Sequence, residues 1–324
     1  MVSINTIHIS PSLLNSSCAW SSDLGNLQEL YASPYTGAIT TRTATLNGFK
    51  EDQTHKVAFA ANTVSTINSY GYSPHPLSDY LEWVETILLG DGPNPQKPII
   101  ISITAPTAEE LQVMVAAIQD LRDKLKDKGT VSRIAIELNT SCPNILKASP
   151  SGYSFPSLVP LLRVLVDAFF KDKSFTIGLK LPPYTYKEQY VQVLETLKGH
   201  ATSDYPLPIS FLTCTNTLGS SLLYPGQILS PGDADAVYAV PTGLGGLAGE
   251  LLHPLALGNV FSFANLLRGA KARFPELSSL KIIGVGGVTS KEAAKRMRDA
   301  GADAIGCATL YGREGVKAFE ILST

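Results

Sequence analysis

The chain has 324 residues, 44% of them hydrophobic and 17% charged, enough apolar material to fill a large globular core. A formal net charge of −2 gives no electrostatic case for nucleic acid or for an anionic membrane surface. No apolar run approaches the roughly 20 residues that a membrane-spanning helix needs, and the four cysteines (18, 142, 214 and 307) make neither a Cys-x-x-Cys pair nor a zinc pattern with histidine. The start, Met1-Val2-Ser3-Ile4-Asn5, has no basic or apolar leader character. The expectation is a cytoplasmic enzyme with reduced thiols, no metal and no membrane or nucleic-acid partner.

In chain order, eight apolar, β-rich runs recur at about 11–17, 37–43, 97–104, 133–140, 175–182, 208–216, 280–287 and 303–310. Helical patterns alternate with most of them, at 23–33, 157–171, 186–198, 259–273 and about 313–322. Thr107-Ala108-Glu109-Glu110 caps a further helix running to about Lys128 before Gly129, and Thr289-Ser290-Lys291-Glu292 opens another that Gly301 ends. Eight strand–helix units predict a (β/α)8 TIM barrel, with an open doubly wound sheet as the alternative because sequence does not show closure. Two long connections break the rhythm: 44–96, with a helix near 77–90, and the Gly- and Pro-rich 217–258. Loops of this length in a compact domain are commonly functional. With no repeat, linker or low-complexity tail, residues 1–324 read as one domain with long insertions at the barrel rim.

Chemistry in parallel α/β proteins gathers where strands end. The run 133–136 leads directly into Glu-Leu-Asn-Thr-Ser-Cys-Pro-Asn at 137–144. Asn139 and Asn144 can donate to and accept from a polar, uncharged ring. Cys142 could be nucleophile, base or redox centre once its pKa is tuned, or a small cysteine packed beside a turn. Lys180 closes Phe175-Thr176-Ile177-Gly178-Leu179, where a buried ammonium calls for an anion, unless it merely snorkels to the barrel mouth. Thr213-Cys214-Thr215-Asn216-Thr217 ends the sixth run with small hydrogen-bonding groups. Glycine-rich backbone at 243–249, at 282–287 and before Ala308-Thr309 suits a phosphate cradle at the seventh and eighth strand ends. The four cysteines all fall at or just after predicted strand ends, and three of them read as space-filling.

Taken together, these segments resemble dihydroorotate dehydrogenase, and most of all its soluble class 1 (class 1A-like) form. The resemblance runs from about residue 11 to 319 and rests on segments in the family's order. They are Asn-Ser-Ser (15–17), Ile-Asn-Ser-Tyr-Gly (67–71), Glu-Leu-Asn-Thr-Ser-Cys-Pro-Asn (137–144), Gly-Leu-Lys-Leu-Pro-Pro-Tyr (178–184), Thr-Asn-Thr-Leu-Gly (215–219), Gly-Leu-Gly-Gly-Leu-Ala-Gly (243–249) and Ile-Ile-Gly-Val-Gly-Gly (282–287). The resemblance implies an FMN-binding barrel that oxidises dihydroorotate to orotate in pyrimidine (UMP) biosynthesis. By it, Cys142 is the base that removes the C5 proton while hydride leaves C6 for flavin N5. Asn68, Asn139, Asn144, Asn216 and Thr217 would hold the pyrimidine ring, and the segment Ser69, Tyr70, Gly71 and Tyr72 would meet the substrate carboxylate.

The same resemblance assigns Ser17, Thr43, Asn139, Lys180, Thr215, Gly249, Gly286, Gly287, Ala308 and Thr309 to FMN, with Lys180 stabilising the anionic reduced flavin. Arg42 stands where the family carries a lysine that touches both flavin and substrate, and an arginine is not a free exchange there. Cys18 and Tyr70 also depart from the class 1 pattern, as does the loop after Asn144. Fumarate as electron acceptor and a homodimer are implied; a partner subunit with further redox centres stays open. So do two other readings: an FMN oxidoreductase acting on another dihydropyrimidine or cyclic imide, and a non-catalytic flavin-binding paralogue.

Overall fold

Residues whose two faces are both apolar become the buried strands of a parallel sheet, and here they close into a ring. The computed structural model describes residues 1–141, 151–201, 207–230 and 236–323. The eight barrel strands are Leu13–Asn15, Ile39–Thr40, Ile99–Ile103, Ile134–Asn139, Thr176–Leu181, Phe211–Cys214, Lys281–Val285 and Ala304–Cys307. Each lies inside one of the eight predicted runs. Strands two to eight pair in parallel with their sequence neighbours, and the eighth pairs with the first. A parallel bridge between Leu14 and Ala38 joins first to second. Asn15 reinforces that seam: its Nδ2 donates to Thr40 O at 2.6 Å and its Oδ1 accepts from Thr40 N at 2.8 Å. The sheet is therefore a (β/α)8 barrel, not the open alternative.

The capped helices form as their sequence signals require. Thr107 accepts from Glu110 N ahead of Ala108–Lys124, Ser290 accepts from Ala293 N ahead of Lys291–Asp299, and Asp23 accepts from Asn26 N ahead of Leu24–Ala32. Two boundaries move. The sixth-unit helix is His253–Arg268, starting earlier than 259 because Pro254 takes the first turn, where its missing N–H costs nothing. The last helical segment splits into Thr309–Glu314 and Lys317–Ser323, so it begins directly at the eighth strand and not near 313.

Two features arise from non-local pairing. Val2–Ile4 and Ile7–Ile9 form an antiparallel hairpin whose Ile4, Ile7 and Ile9 pack with Ile100, Phe211 and Ile283 inside the barrel and close its N-terminal end. The two long connections, which read as separate loops, pair with each other. Val57–Phe59 and Ser65–Asn68 from the first join Leu244–Gly249 and Leu218–Leu222 from the second in a four-stranded antiparallel sheet at the C-terminal rim.

Candidate functional site

The rim sheet and the C-terminal strand ends enclose a cavity of about 1020 Å3, counting the part open to solvent. Strand alternation decides what points inward. On the fourth strand Glu137 and Asn139 share the inner face, on the sixth Thr213 continues to Thr215, and on the fifth Gly178 is followed by Lys180. Of the residues singled out in the sequence, Ser17, Arg42, Thr43, Asn68, Tyr70, Gly71, Tyr72, Asn139, Lys180, Thr215, Asn216 and Thr217 all line this cavity. Gly249, Gly286, Gly287, Ala308 and Thr309 do so as well. Ser69 does not. It is buried, and its hydroxyl donates to Thr54 O at 2.5 Å and accepts from Lys56 N at 3.0 Å, tying the loop to itself. It directly follows the rim strand Ser65–Asn68, and its bonds to Thr54 and Lys56 hold its hydroxyl against the loop. Cys142 and Asn144 lie outside the described residues.

The amides on the cavity wall are interlocked. Asn139 Nδ2 donates to Thr43 Oγ1 at 3.0 Å, while its Oδ1 accepts from Asn216 Nδ2 at 3.2 Å and from Ser141 N at 3.1 Å. Asn216 also donates to Ser141 Oγ at 3.1 Å and accepts from Thr217 N at 2.8 Å. Across the floor, Lys180 is 5% exposed and its Nζ lies 3.2 Å from both Ser16 Oγ and Ser17 O. Both acceptors are neutral; the lysine lines the cavity and also acts electrostatically on the buried Glu137 carboxyl.

Arg42 occupies the mouth differently from a lone lysine. Its Nη2 donates to the Glu51 carboxylate and, at 3.1 Å, to Tyr72 O. Nη1 donates to Ser22 Oγ at 3.3 Å, and the guanidinium stacks 5.1 Å from the Tyr70 ring centroid. The guanidinium thus ties the first insertion to the barrel at Glu51 and Tyr72.

Backbone forms the opposite wall. Gly249 has φ +82°, and a Cβ there would fall 2.2 Å from Val64 O. Gly287 has φ +65°, and its Cβ would meet His253 Cβ at 2.5 Å and Gly249 O at 2.7 Å. Only glycine lets these two segments approach so closely. His253 supports the turn by bonding Gly286 O through Nδ1 at 2.7 Å. Thr215 Oγ1 is buried at this cavity without a hydrogen-bond partner. A buried hydroxyl in that state costs free energy unless a bound group meets it. The unmatched hydroxyl, the lysine charge and the glycine wall fit a polar group bearing negative charge.

The described thiols are quiet. Burial pushes Cys18 up, drives Cys214 higher, and takes Cys307 to about 12. None of these three is a thiolate at neutral pH.

Several contributors escaped the sequence reading. Glu51 and Ser22, the partners of Arg42, come from separate segments with no motif of their own. His253 carried a usable signal, being adjacent to Pro254 at a helix start, but its target is 33 residues away. Trp20 also lines the cavity.

Among the described residues, no cluster of three or more His, Cys, Asp and Glu could hold a metal, and no helix is long and apolar enough to cross a membrane. Fold and site thus define a (β/α)8 barrel with a polar, cationic pocket at its C-terminal mouth, the place where this architecture carries chemistry. The dihydroorotate dehydrogenase family model matches residues 10–323, and the chain belongs to that family of oxidoreductases. Among similar proteins is "Putative dihydroorotate dehydrogenase A (fumarate)" of Streptococcus equi, 26% identical over 284 residues, 88% of this chain and 78% of that protein. "Dihydroorotate dehydrogenase A (fumarate)" of Lactococcus lactis is 28% identical over 308 residues, covering 95% of this chain and 86% of the relative. "Dihydroorotate dehydrogenase (fumarate)" of Trypanosoma brucei is 30% identical over 220 residues, 68% of this chain and 60% of its own length.

Proposed function

We propose that this protein oxidises dihydroorotate to orotate in pyrimidine biosynthesis, with FMN in the barrel mouth and fumarate as electron acceptor. The observation that carries the reading is the meeting, in one cavity, of the Asn139–Asn216 amide pair, the Lys180 ammonium and the unmatched Thr215 hydroxyl. The relatives named as fumarate-dependent enzymes supply the choice of substrate and acceptor. Ser17, Thr43, Asn139, Lys180 and Thr215 would hold the cofactor's ring system, with Gly249, Gly286, Gly287, Ala308 and Thr309 around its phosphate. FMN, when bound there, supplies a two-electron acceptor for the hydride that leaves C6.

The chain's own groups do the rest. Asn68, Asn139, Asn144, Asn216 and Thr217 orient the uncharged edge of the pyrimidine, matching its alternating donors and acceptors. Arg42 and the backbone of Tyr70, Gly71 and Tyr72 meet its carboxylate. By the family resemblance, Cys142 takes the C5 proton as general base. The Lys180 charge favours electron density arriving beside it. Fumarate then takes up the electrons in the same cavity.

We place the protein in the cytoplasm as one domain, consistent with the free thiols at 18, 214 and 307. We also infer a homodimer, because Leu222, Tyr224, Leu229, Tyr238 and Leu244 expose large apolar side chains on one insertion.

Anaerobic mixing of purified protein with dihydroorotate, followed by visible absorbance, tests the reading. Rapid bleaching of a yellow protein is the expected result. A yellow protein that stays yellow rules out the substrate, and a colourless one unable to take up FMN rules out the cofactor.

A further inference from the structure

The most deeply buried carboxylate near the site belongs to Glu137, which opens the Glu-Leu-Asn motif yet has no part in the chemistry described so far. It is 2% exposed, inside the barrel one step below Asn139 on the same strand face. Both its oxygens accept: Oε2 from Thr213 Oγ1 at 2.5 Å, and Oε1 from Ser102 Oγ at 3.4 Å. Ser102 Oγ lies 2.9 Å from Thr43 Oγ1, and Thr43 Oγ1 lies 3.0 Å from Ser17 Oγ and 3.0 Å from Asn139 Nδ2.

Hydroxyl valence turns this chain into a one-way arrangement. A serine or threonine hydroxyl has one proton to donate and two lone pairs. Ser102 spends its proton on Glu137, so Thr43 must donate to Ser102. Thr43 then has only lone pairs left, so both Ser17 and Asn139 must donate to it. Ser17 is left with lone pairs for the cavity, and the Asn139 amide has its nitrogen toward Thr43 and its oxygen toward Asn216, an orientation that the Ser141 N–H at Oδ1 also requires.

We propose that Glu137 is a positioning residue: through Ser102 and Thr43, its buried carboxylate fixes which atoms of Asn139 and Ser17 act as donors and acceptors toward ligand and cofactor. The inference rests on the dihydroorotate reading for its ligand. Lys180, which pairs in register with Asn139 on the adjacent strand, supplies the opposing charge. Burial dominates and holds the Glu137 carboxyl above its ordinary value, against the pull of Lys180 and of the Thr213 and Ser102 hydroxyls. Glutamine at 137 is nearly isosteric but brings an NH2 that must donate, so the chain loses its single direction.

The test uses the FMN-loaded enzyme, titrated with orotate under the flavin absorbance band, together with the cofactor's reduction potential. Glu137→Gln should weaken orotate roughly fivefold to thirtyfold, the equivalent of one oriented hydrogen bond. It should also make the potential more positive, because a buried negative charge beside Lys180 is gone. Unchanged affinity overturns the proposal, as does weakened affinity with an unchanged potential, since a purely steric role moves no potential. If Glu137→Gln does not fold, Ser102→Ala decides: it keeps the carboxylate but cuts the chain. Weaker orotate with FMN retained supports the proposal, and unchanged orotate affinity overturns it. Wild-type enzyme that takes FMN but not orotate refutes the dihydroorotate reading instead, and the potential of Glu137→Gln then decides alone on Glu137.

Discussion

Replacing Arg42 with lysine would look, on sequence alone, like a return to the family pattern. The contacts of the guanidinium argue the opposite. It is 6% exposed and reaches three groups in diverging directions: the Glu51 carboxylate, Tyr72 O and Ser22 Oγ, with the Tyr70 ring stacked on it. A lysine is a compact point charge without the planar fork and can follow one of these groups well. Two hydrogen bonds to a charged donor are lost, each worth about 1.5–3 kcal/mol where fully buried. Glu51 is 25% exposed and water can replace part of its contact, so the net loss is set at about 2–4 kcal/mol. With unfolding entropy scaling as roughly 2.1 cal/mol/K per residue, a chain of this size should lose about 3–6 °C in Tm. Calorimetry on the FMN-loaded protein measures that. Steady-state kinetics should show a higher KM for dihydroorotate, since Tyr70–Tyr72 are no longer held at the mouth. A Tm unchanged within a degree, with an equal or lower KM, would refute the reasoning and mean that the three partners contribute nothing.

Gly249→Ala would place a Cβ 2.2 Å from Val64 O at a φ of +82°. Backbone in that region costs a non-glycine residue about 1–3 kcal/mol, so the variant should fold but bind FMN roughly 10-fold or more weakly; flavin fluorescence during dialysis reads this directly. Cys142→Ala should retain FMN yet slow flavin reduction by dihydroorotate about 10²–10⁴-fold, the usual contribution of a general base. Stopped-flow absorbance gives the rate, and a near-normal value removes Cys142 from the mechanism.

The residues of this chain determined, without the structure, everything that local pattern controls. Runs of β-branched and aliphatic residues become strands because both faces must be buried. Thr107 and Ser290 start helices because their hydroxyls satisfy N–H groups three residues on. The cavity-lining segments were legible because a barrel places consecutive strand ends on one rim, so strand-end positions such as Asn139, Lys180 and Thr215 must converge.

Tertiary structure decided what depends on partners far away in sequence. Pairing of Ser65–Asn68 with Leu244–Gly249 joins two insertions nearly 180 residues apart into one sheet, and no local signal announces it. The same holds for Arg42 under Tyr72 O, for His253 under Gly286 O, and for the chain from Glu137 through Ser102 and Thr43 to Asn139. Ser69 lay in the same motif as Asn68, yet its hydrogen bonds to Thr54 and Lys56 hold it against the loop and off the cavity lining. Propensity and spacing are properties of neighbouring residues, whereas hydrogen-bond direction and charge pairing inside a barrel are set only when all eight strands have closed around them.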